Sequence, residues 1–272
     1  MVRVSAISFL NTVPLLRGFD RTTTAEKRDL EVWFTTPAEC ADQLRVGVAD
    51  VGLIPAIEYQ RIPGLVVVGD AAIATNGAVR SILLLTRCPI DQVRTVAADT
   101  ASRTSVALTQ ILFRRRYGMQ VQMVPHQASP AKMLQKCDAA LVIGDPALYY
   151  AKSPLPGVTA TDLGAEWLAL TGKPFVFAFW AANPKSATPE LAATFDSWRD
   201  RGLAEIESIV TEEAARRYLS PEVVHAYLTE NIHFTLDREC REGLELYYRW
   251  AGELGLAPLG RELEIVSSGV AA

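Results

Sequence analysis

Short β-branched segments alternate with segments of helical periodicity through the first two-thirds of the chain. This alternation is typical of parallel strands joined by helical crossovers, and it predicts an α/β fold. After about Pro184 the strand signal nearly vanishes, and helical segments follow with one weak edge strand at 232–236. We therefore predict a helical C-terminal tail that covers an existing sheet. The predicted strands cover residues 2–7, 30–34, 51–54, 65–68, 79–86, 95–98, 121–124, 139–143 and 175–180.

Helix boundaries are marked by capping residues, prolines and glycines. Thr36-Pro37-Ala38-Glu39 has a capping hydroxyl, a proline and a reciprocal carboxylate in capping-box order, which predicts a helix that ends near Gly47. A hydroxyl followed by proline recurs at two later positions, and two further glycines are expected to end the helices before them. These are Ser129-Pro130, Thr188-Pro189, Gly118 and Gly202.

Charge and hydrophobicity restrict the possible partners. The formal net charge is -4, and the basic residues are scattered rather than clustered, which argues against nucleic acid and anionic membranes. No secretory signal is visible at the amino terminus, and the apolar runs are far shorter than the ~20 residues of a membrane helix. We expect a soluble, cytoplasmic protein.

The cysteines and histidines do not form a recognisable ligand pattern. Four cysteines and three histidines lack the short paired spacings of zinc sites and redox motifs. No glycine-rich phosphate loop and no serine or cysteine nucleophile arrangement can be assigned either. We therefore predict no metal and no cofactor.

Four segments follow predicted strands at positions where open α/β sheets bind ligands. One of them carries four hydroxyls and a guanidinium at the predicted start of a helix. Free amides and the helix dipole favour an anion there. The alternative interpretation is that one serine caps the helix while the other hydroxyls face water. Arg103 among the hydroxyls favours a carboxylate site. The segments are 8–14, 54–56, 99–105 and 143–146, and the hydroxyls are Thr100, Ser102, Thr104 and Ser105.

Three further polar residues have both a structural and a functional interpretation. Asn11 either caps the helix that opens near Pro14 or contacts a ligand. Asp145 is either a turn residue or a site carboxylate. Ser81 leads an otherwise apolar strand, so its hydroxyl needs a partner when buried, and a ligand can supply one.

Eight motifs extend these observations along the chain. In sequence order they are Ser8-Phe9-Leu10-Asn11-Thr12 with Pro14-Leu15, Ile54-Pro55 with Ile57-Glu58-Tyr59, Val79-Arg80-Ser81, Asp99-Thr100 with Ser102-Arg103-Thr104-Ser105, Ile143-Gly144-Asp145-Pro146-Ala147-Leu148, Asp162-Leu163-Gly164 with Glu166-Trp167, Pro174-Phe175-Val176-Phe177-Ala178 with Trp180, and Glu230-Asn231-Ile232. Together they resemble the chorismate dehydratase family of the futalosine route to menaquinone. Ala56 and Ala101 replace small hydroxyl residues of that family, and Phe179 replaces an aliphatic residue, which weakens individual contacts rather than the resemblance.

The resemblance implies a two-lobed fold like that of type II periplasmic binding proteins. Two crossover strands, at 79–86 and 175–180, would join the lobes. Residues 1–85 and 181–272 would form the first lobe, and residues 86–180 would form the second. The chain would leave the first lobe, build the second, and return to complete the first with its helical tail.

The resemblance also implies a reaction and a site. The substrate would be a small dicarboxylate, chorismate, which loses water to give the aromatic 3-[(1-carboxyvinyl)oxy]benzoate without a cofactor. The proton acceptor stays open between Asp145 and the substrate's own enolpyruvyl carboxylate. The expected catalytic residues are Asn11, Ser81 and Asp145, and the expected substrate-binding residues are Ser8, Pro55, Thr100, Ser102, Arg103, Thr104, Ser105 and Gly144.

Two alternative functions remain open. The sister enzyme 1,4-dihydroxy-6-naphthoate synthase shares the fold but opens with a different loop. A non-catalytic cytoplasmic protein that binds small carboxylates would show stoichiometric binding without turnover. The absence of a DNA-binding segment counts against a transcriptional regulator.

Overall fold

The computed structural model describes residues 1–21, 29–99 and 101–269, so the predicted polar connection at 21–29 and Thr100 lie largely or wholly outside it. Its strands are Val2–Ile7 (β1), Leu30–Thr35 (β2), Val51–Pro55 (β3), Val66–Thr75 (β4), Ile82–Thr86 (β5), Thr95–Asp99 (β6), Gln122–His126 (β7), Ala139–Ile143 (β8), Thr159–Asp162 (β9), Phe175–Ala182 (β10), His233–Thr235 (β11) and Ile265–Val266 (β12).

Helices occupy most of the remaining described residues. They are Val13–Arg21 (α1), Pro37–Arg45 (α2), Ala56–Arg61 (α3), Arg103–Arg116 (α4), Pro130–Lys136 (α5), Asp145–Lys152 (α6), Leu163–Thr171 (α7), Pro189–Ala204 (α8), Ile206–Arg217 (α9), Pro221–Ala226 (α10) and Arg238–Glu253 (α11), and a π-helical turn spans Tyr227–Asn231. None of the helices in these ranges combines the length and the apolar character that crossing a membrane requires.

The strands form two mixed sheets, which confirms the α/β class. The first sheet has the order β11-β4-β10-β3-β1-β2, with β12 paired to β4, and the second has the order β7-β6-β8-β5-β9. Parallel pairs join β1 to β2 and β3, and β6 to β7 and β8. Antiparallel pairs join β10 to β3 and β4, and β5 to β8 and β9. The carboxyl ends of β1, β3, β6 and β8 therefore carry the four segments singled out above.

The two expected crossover strands each pair within one sheet. Residues 82–86 belong wholly to the second sheet, and residues 175–182 wholly to the first. The predicted lobe boundaries at 85 and 180 thus differ from the sheet boundaries by one strand each. Both strands are fully buried and almost entirely apolar, so their composition does not reveal which sheet they join. Strand β9 was not predicted, because its sequence Thr-Ala-Thr-Asp is polar and partly exposed.

Local capping signals are reproduced at α2. The Thr36 side chain accepts a hydrogen bond from the Glu39 N–H, and the Glu39 carboxylate accepts one from the Thr36 N–H, which completes the predicted capping box. Gly118 follows α4 with a φ of 65°, in the left-handed region that favours glycine. The prediction for Gly202 was wrong, because this residue lies inside α8 rather than at its end.

Gly202 instead permits the close contact of α8 with α1. A Cβ atom at this position would lie 2.0 Å from the Pro14 carbonyl oxygen, far inside van der Waals contact. We expect Gly202→Ala to lower the free energy of unfolding by about 2 kcal/mol, although alanine gains roughly 1 kcal/mol in helix propensity. Urea denaturation measures this difference. Gly252→Ala in α11, where the nearest atom is 3.1 Å away, is the matched control and should cost much less.

The C-terminal tail contacts both lobes, as α11 demonstrates. The Tyr247 hydroxyl donates to the Thr104 carbonyl at 3.0 Å, on the second lobe's α4. The Tyr248 hydroxyl donates to the Ala56 carbonyl at 2.7 Å, on the first lobe's α3. Both tyrosines are buried in the core. Helix α11 therefore helps to hold the two lobes in this relative position.

Candidate active site

A cavity of about 470 Å³, including its mouth, lies where the two lobes face each other. Its volume is within the range of small-molecule sites. The loops after β1, β3, β6 and β8 line it, together with Ser81 and residues 177–178 of β10. Apolar walls are contributed by Ile73, Ile82 and Phe177. The predicted site residues that it brings together are Asn11, Pro55, Ser81, Ser102, Arg103, Thr104, Ser105 and Gly144.

Asn11 and Ser81 meet through a tyrosine that the sequence did not indicate. The Tyr227 hydroxyl donates to Ser81 Oγ at 2.8 Å, and the Asn11 side chain lies close enough to Tyr227 to lower the pKa of its hydroxyl. The Asn11 Oδ1 atom is buried and has no hydrogen-bond partner among the described residues. A buried amide oxygen without a partner costs free energy, so this atom creates a demand for a donor from a ligand in the cavity.

Tyr227 is a buried phenol close to the charged residues of the site. Burial raises the pKa of Tyr227 well above its usual value, and the hydrogen bonds with Ser81 and Asn11 oppose this shift only in part. The phenol is therefore protonated at neutral pH. Sequence reasoning missed Tyr227 because an aromatic residue in a helical tail is normally core. The one available signal was its position just before the Glu230-Asn231-Ile232 motif.

The second lobe contributes the amino terminus of α4 to the cavity wall. Ser102 occupies the N-cap position, but its side chain makes no capping hydrogen bond. Thr104 Oγ1 instead accepts from the Ile57 N–H at 3.2 Å, which connects α4 to α3 of the first lobe. The alternative in which a serine side chain caps this helix is therefore wrong for Ser102. Ser102 and Ser105 line the cavity beside the first amides of a 14-residue helix, an arrangement that suits an anion.

Arg103 lines the same wall, and its guanidinium bridges the lobes. It donates to both Asp42 carboxylate oxygens at 2.7 and 2.9 Å and to Glu58 at 3.1 Å. Glu58 is almost fully buried and also receives Arg45 at 2.5 Å and Arg61 at 2.9 Å. Arg103 thus supplies positive charge behind the α4 amides while its donors are engaged by carboxylates of the first lobe.

Two predicted residues lie beside the cavity rather than in its wall. Asp145 accepts from the Leu10 N–H at 3.0 Å and forms an ion pair with Arg217 of α9. Burial raises the pKa of Asp145 above its usual value, while the Leu10 N–H and the Arg217 charge oppose the shift. Ser8 is exposed, and its carbonyl accepts from Arg217 at 3.4 Å. Both residues therefore belong to a contact that holds the first loop against α6 and α9.

Gly144 explains how the first loop reaches the cavity. Its φ is 64°, and a Cβ atom there would lie 2.9 Å from the Phe9 ring. Its N–H donates to the Ser81 carbonyl at 2.7 Å. Because no side chain intervenes, Phe9 lies directly over Gly144 and forms part of the cavity wall.

One group of possible metal ligands occurs elsewhere in the described residues. Ligand atoms of His233, Asp237 and Cys240 lie within 4.8 Å of one another. Asp237 caps α11 by accepting from the Cys240 N–H at 2.8 Å, and it pairs with His233 at 2.7 Å. Burial raises the pKa of the Cys240 thiol to about 12, which disfavours the thiolate that a metal requires. These contacts are those of a helix cap, and none of the three residues lines the cavity.

Solved structures with the same architecture have low sequence identity to this chain. A protein from Archaeoglobus fulgidus matches with a TM-score of 0.71 at 16% identity, over 94% of this chain and 98% of that one. The periplasmic aliphatic sulphonate binding protein SsuA from Escherichia coli matches with a TM-score of 0.63 at 15% identity, over 100% and 95%. The chain therefore has a periplasmic-binding-protein-like fold, as its motifs predicted.

Sequence comparison identifies a closer relationship. A chorismate dehydratase from Thermus thermophilus is 28% identical over 249 residues, which cover 84% of this chain and 89% of that protein. The family model described as menaquinone biosynthesis matches residues 2–253. That match includes both lobes and every residue placed around the cavity, and on this ground the chain belongs to the menaquinone biosynthesis family.

Proposed function

We propose that this protein is a chorismate dehydratase, a hydro-lyase that forms 3-[(1-carboxyvinyl)oxy]benzoate and water in the futalosine route to menaquinone. Membership of the menaquinone biosynthesis family and the similarity to the Thermus thermophilus enzyme support the proposal. The observation that carries it is the buried Asn11 Oδ1, which has no partner among the described residues and shares a cavity with Ser81 and the amino terminus of α4. This pairing suits a ligand with a hydroxyl at one end and a carboxylate at the other.

The reaction is a 1,2-elimination on the substrate ring. The C–H bond at the carbon bearing the enolpyruvyl ether breaks, its electron pair forms the third ring double bond, and the neighbouring C–O bond breaks. Aromatisation supplies the driving force, so the protein's task is to orient the substrate and assist proton transfer and hydroxide departure. The proton and the hydroxide together make the water that is released.

We assign the two ends of the substrate to the two lobes. The α4 amides with Ser102, Thr104 and Ser105 bind one carboxylate, and Arg103 adds positive charge behind them. Pro55 and Gly144 shape the walls of the cavity. Thr100 is proposed as a further residue of this carboxylate site because it lies just before Ser102 in the sequence. Asn11 and Ser81 contact the departing hydroxyl.

The proton acceptor is assigned to the substrate. Asp145 is an inferior base here, because its carboxylate is held by Leu10 and Arg217 and does not line the cavity. The enolpyruvyl carboxylate belongs to the ether substituent on the carbon that loses the proton. If it accepts that proton, the reaction needs no base from the protein. We therefore propose that it takes the proton, while Asp145 and Ser8 help to hold the first loop.

A binding protein without catalysis is the second candidate, and the likeness to SsuA favours it. Such a protein would close around a small anion and release it unchanged. As an enzyme, this protein would be cytoplasmic, because a biosynthetic dehydration has its substrate inside the cell. We propose no cytoplasmic location for the alternative in which it is a binding protein.

Turnover of chorismate separates the two candidates. Purified protein, incubated with excess chorismate and no added cofactor, should convert many equivalents to the aromatic enol ether, as measured by chromatography. Calorimetry on the same preparation gives the stoichiometry of binding. Tight one-to-one binding with chorismate unchanged would favour the binding protein and exclude the proposed activity.

A further inference from the structure

We propose that Tyr227 is a positioning residue that orients the Ser81 hydroxyl, so that Ser81 donates its hydrogen into the cavity. This inference rests on the proposed dehydration, in which that hydrogen would be given to the departing hydroxyl. Tyr227 does not line the cavity and acts only through Ser81 and Asn11.

The contact between Tyr227 and Ser81 is buried and anchored on both sides. Each residue is 1% exposed, and their oxygens are 2.8 Å apart across 146 residues of chain. Tyr227 begins the π-helical turn that ends at Asn231, whose Nδ2 donates to the Ala78 carbonyl at 3.0 Å. The turn is thus attached to the 76–81 connection twice, at Ala78 and at Ser81. Insertions of this π type in helices are frequent at functional sites.

Hydrogen-bond polarity then determines what Ser81 can do. A protonated phenol donates its one hydrogen to Ser81 Oγ, so the Ser81 hydrogen must point to another acceptor. The Ser81 backbone is already used, since its N–H donates to Val79 and its carbonyl accepts from Gly144. The remaining direction is the cavity that Ser81 lines. The elevated pKa of Tyr227 is consistent with its role as donor.

The same tyrosine makes Asn11 a hydrogen-bond acceptor towards the cavity, whereas Ser81 is a donor. Asn11 lowers the pKa of Tyr227, which is the effect of an amide N–H directed at the phenol oxygen, and among the described residues its Oδ1 is left without a partner as an acceptor. The order of donation is Asn11 to Tyr227 to Ser81 to the cavity. A donor from Ser81 and an acceptor from Asn11 in the same cavity match an alcohol, whose oxygen accepts from Ser81 while its hydrogen is donated to Asn11. The tyrosine therefore sets the site for a hydroxyl group.

Tyr227→Phe removes this control without removing the ring. Without the phenol, Ser81 can rotate and the Asn11 amide can turn over, so turnover should fall about tenfold to thirtyfold while the chorismate Kd changes less than about threefold. The matched control is Tyr59→Phe, which also removes a buried hydroxyl with two hydrogen bonds, to Glu262 and Glu264. It should lower the melting temperature similarly and leave kcat unchanged.

A double-mutant test separates positioning from structural support. In a Ser81→Ala background, Tyr227→Phe should cause no further loss of kcat, because the tyrosine acts through the serine. Asn231→Ala, which frees the turn from Ala78, should give a smaller kcat loss that also vanishes in that background. Additive losses, or full kcat in Tyr227→Phe, would overturn the positioning role while the wild type still dehydrates chorismate. An inactive wild type would instead overturn the proposed function, and this inference with it.

Discussion

Ser81→Ala should lower kcat for chorismate by about 10²- to 10³-fold, with the equilibrium Kd roughly unchanged. In the proposed reaction, charge develops on the departing oxygen in the transition state, and a Ser81 donor is worth most at that point. In the proposed ground-state complex, the same hydroxyl would face a neutral alcohol and bind it weakly. Single-turnover rates and calorimetric affinities on the same preparation measure the two quantities.

The control for this substitution is Ser208→Ala. Ser208 accepts from Arg17 at 3.1 Å and donates to Glu212 at 2.9 Å, far along the chain from the cavity loops. It should retain wild-type turnover. A Ser81→Ala variant with weakened binding and normal single-turnover rate would show that the hydroxyl binds the ground state instead.

Glu58→Gln should lower the free energy of unfolding by about 3 kcal/mol, the largest stability effect that we expect. Glu58 is 1% exposed and receives Arg45, Arg61 and Arg103. Neutralising it leaves three guanidinium groups around an uncharged amide, and breaking a buried ion pair typically costs 3–5 kcal/mol. Because the three arginines are partly exposed, we expect a loss at the lower end of this range. Urea denaturation provides the measurement.

Asp42→Asn is the matched control, because Asp42 also contacts Arg103 but is about half exposed. Its loss should be under about 1 kcal/mol. The chorismate affinity of both variants also tests whether the contacts of Arg103 with Asp42 and Glu58 affect substrate binding. Equal stability losses in the two variants would contradict the argument that burial makes Glu58 the dominant partner.

Local signals in the sequence predicted local structure well. The Thr36 capping box needs only four consecutive residues, and it appears as expected. The role of Gly202 depends on the Pro14 carbonyl of another helix, which no local pattern reveals. The sheets to which β5 and β10 belong depend on distant partners in the same way, since both strands are almost entirely apolar and only their neighbours distinguish them.

In the site, too, local features were predicted and long-range contacts were not. Asn11 and the 102–105 segment were predicted because they follow strands of the α/β pattern, and Ser81 was predicted because its hydroxyl needs a partner when buried. The cavity has all of them. The pairing of Asp145 with Arg217 and of Arg103 with Glu58 joins residues 72 and 45 positions apart. Such long-range ion pairs, like the Tyr227 contact, depend on tertiary packing that single-sequence patterns do not encode.

Strand β10 lies in the middle of the first sheet, between β3 and β4, and this order has a consequence for synthesis on the ribosome. The five strands of the second sheet come from the contiguous residues 82–162 and can pair as soon as they emerge. The first sheet must wait for residues 175–182, about 100 residues after β4. At roughly 5–20 residues per second, the facing edges of β3 and β4 remain unpaired for about 5–20 s. Exposed strand edges invite pairing with other chains, so the nascent first lobe is the part that chaperones would have to protect.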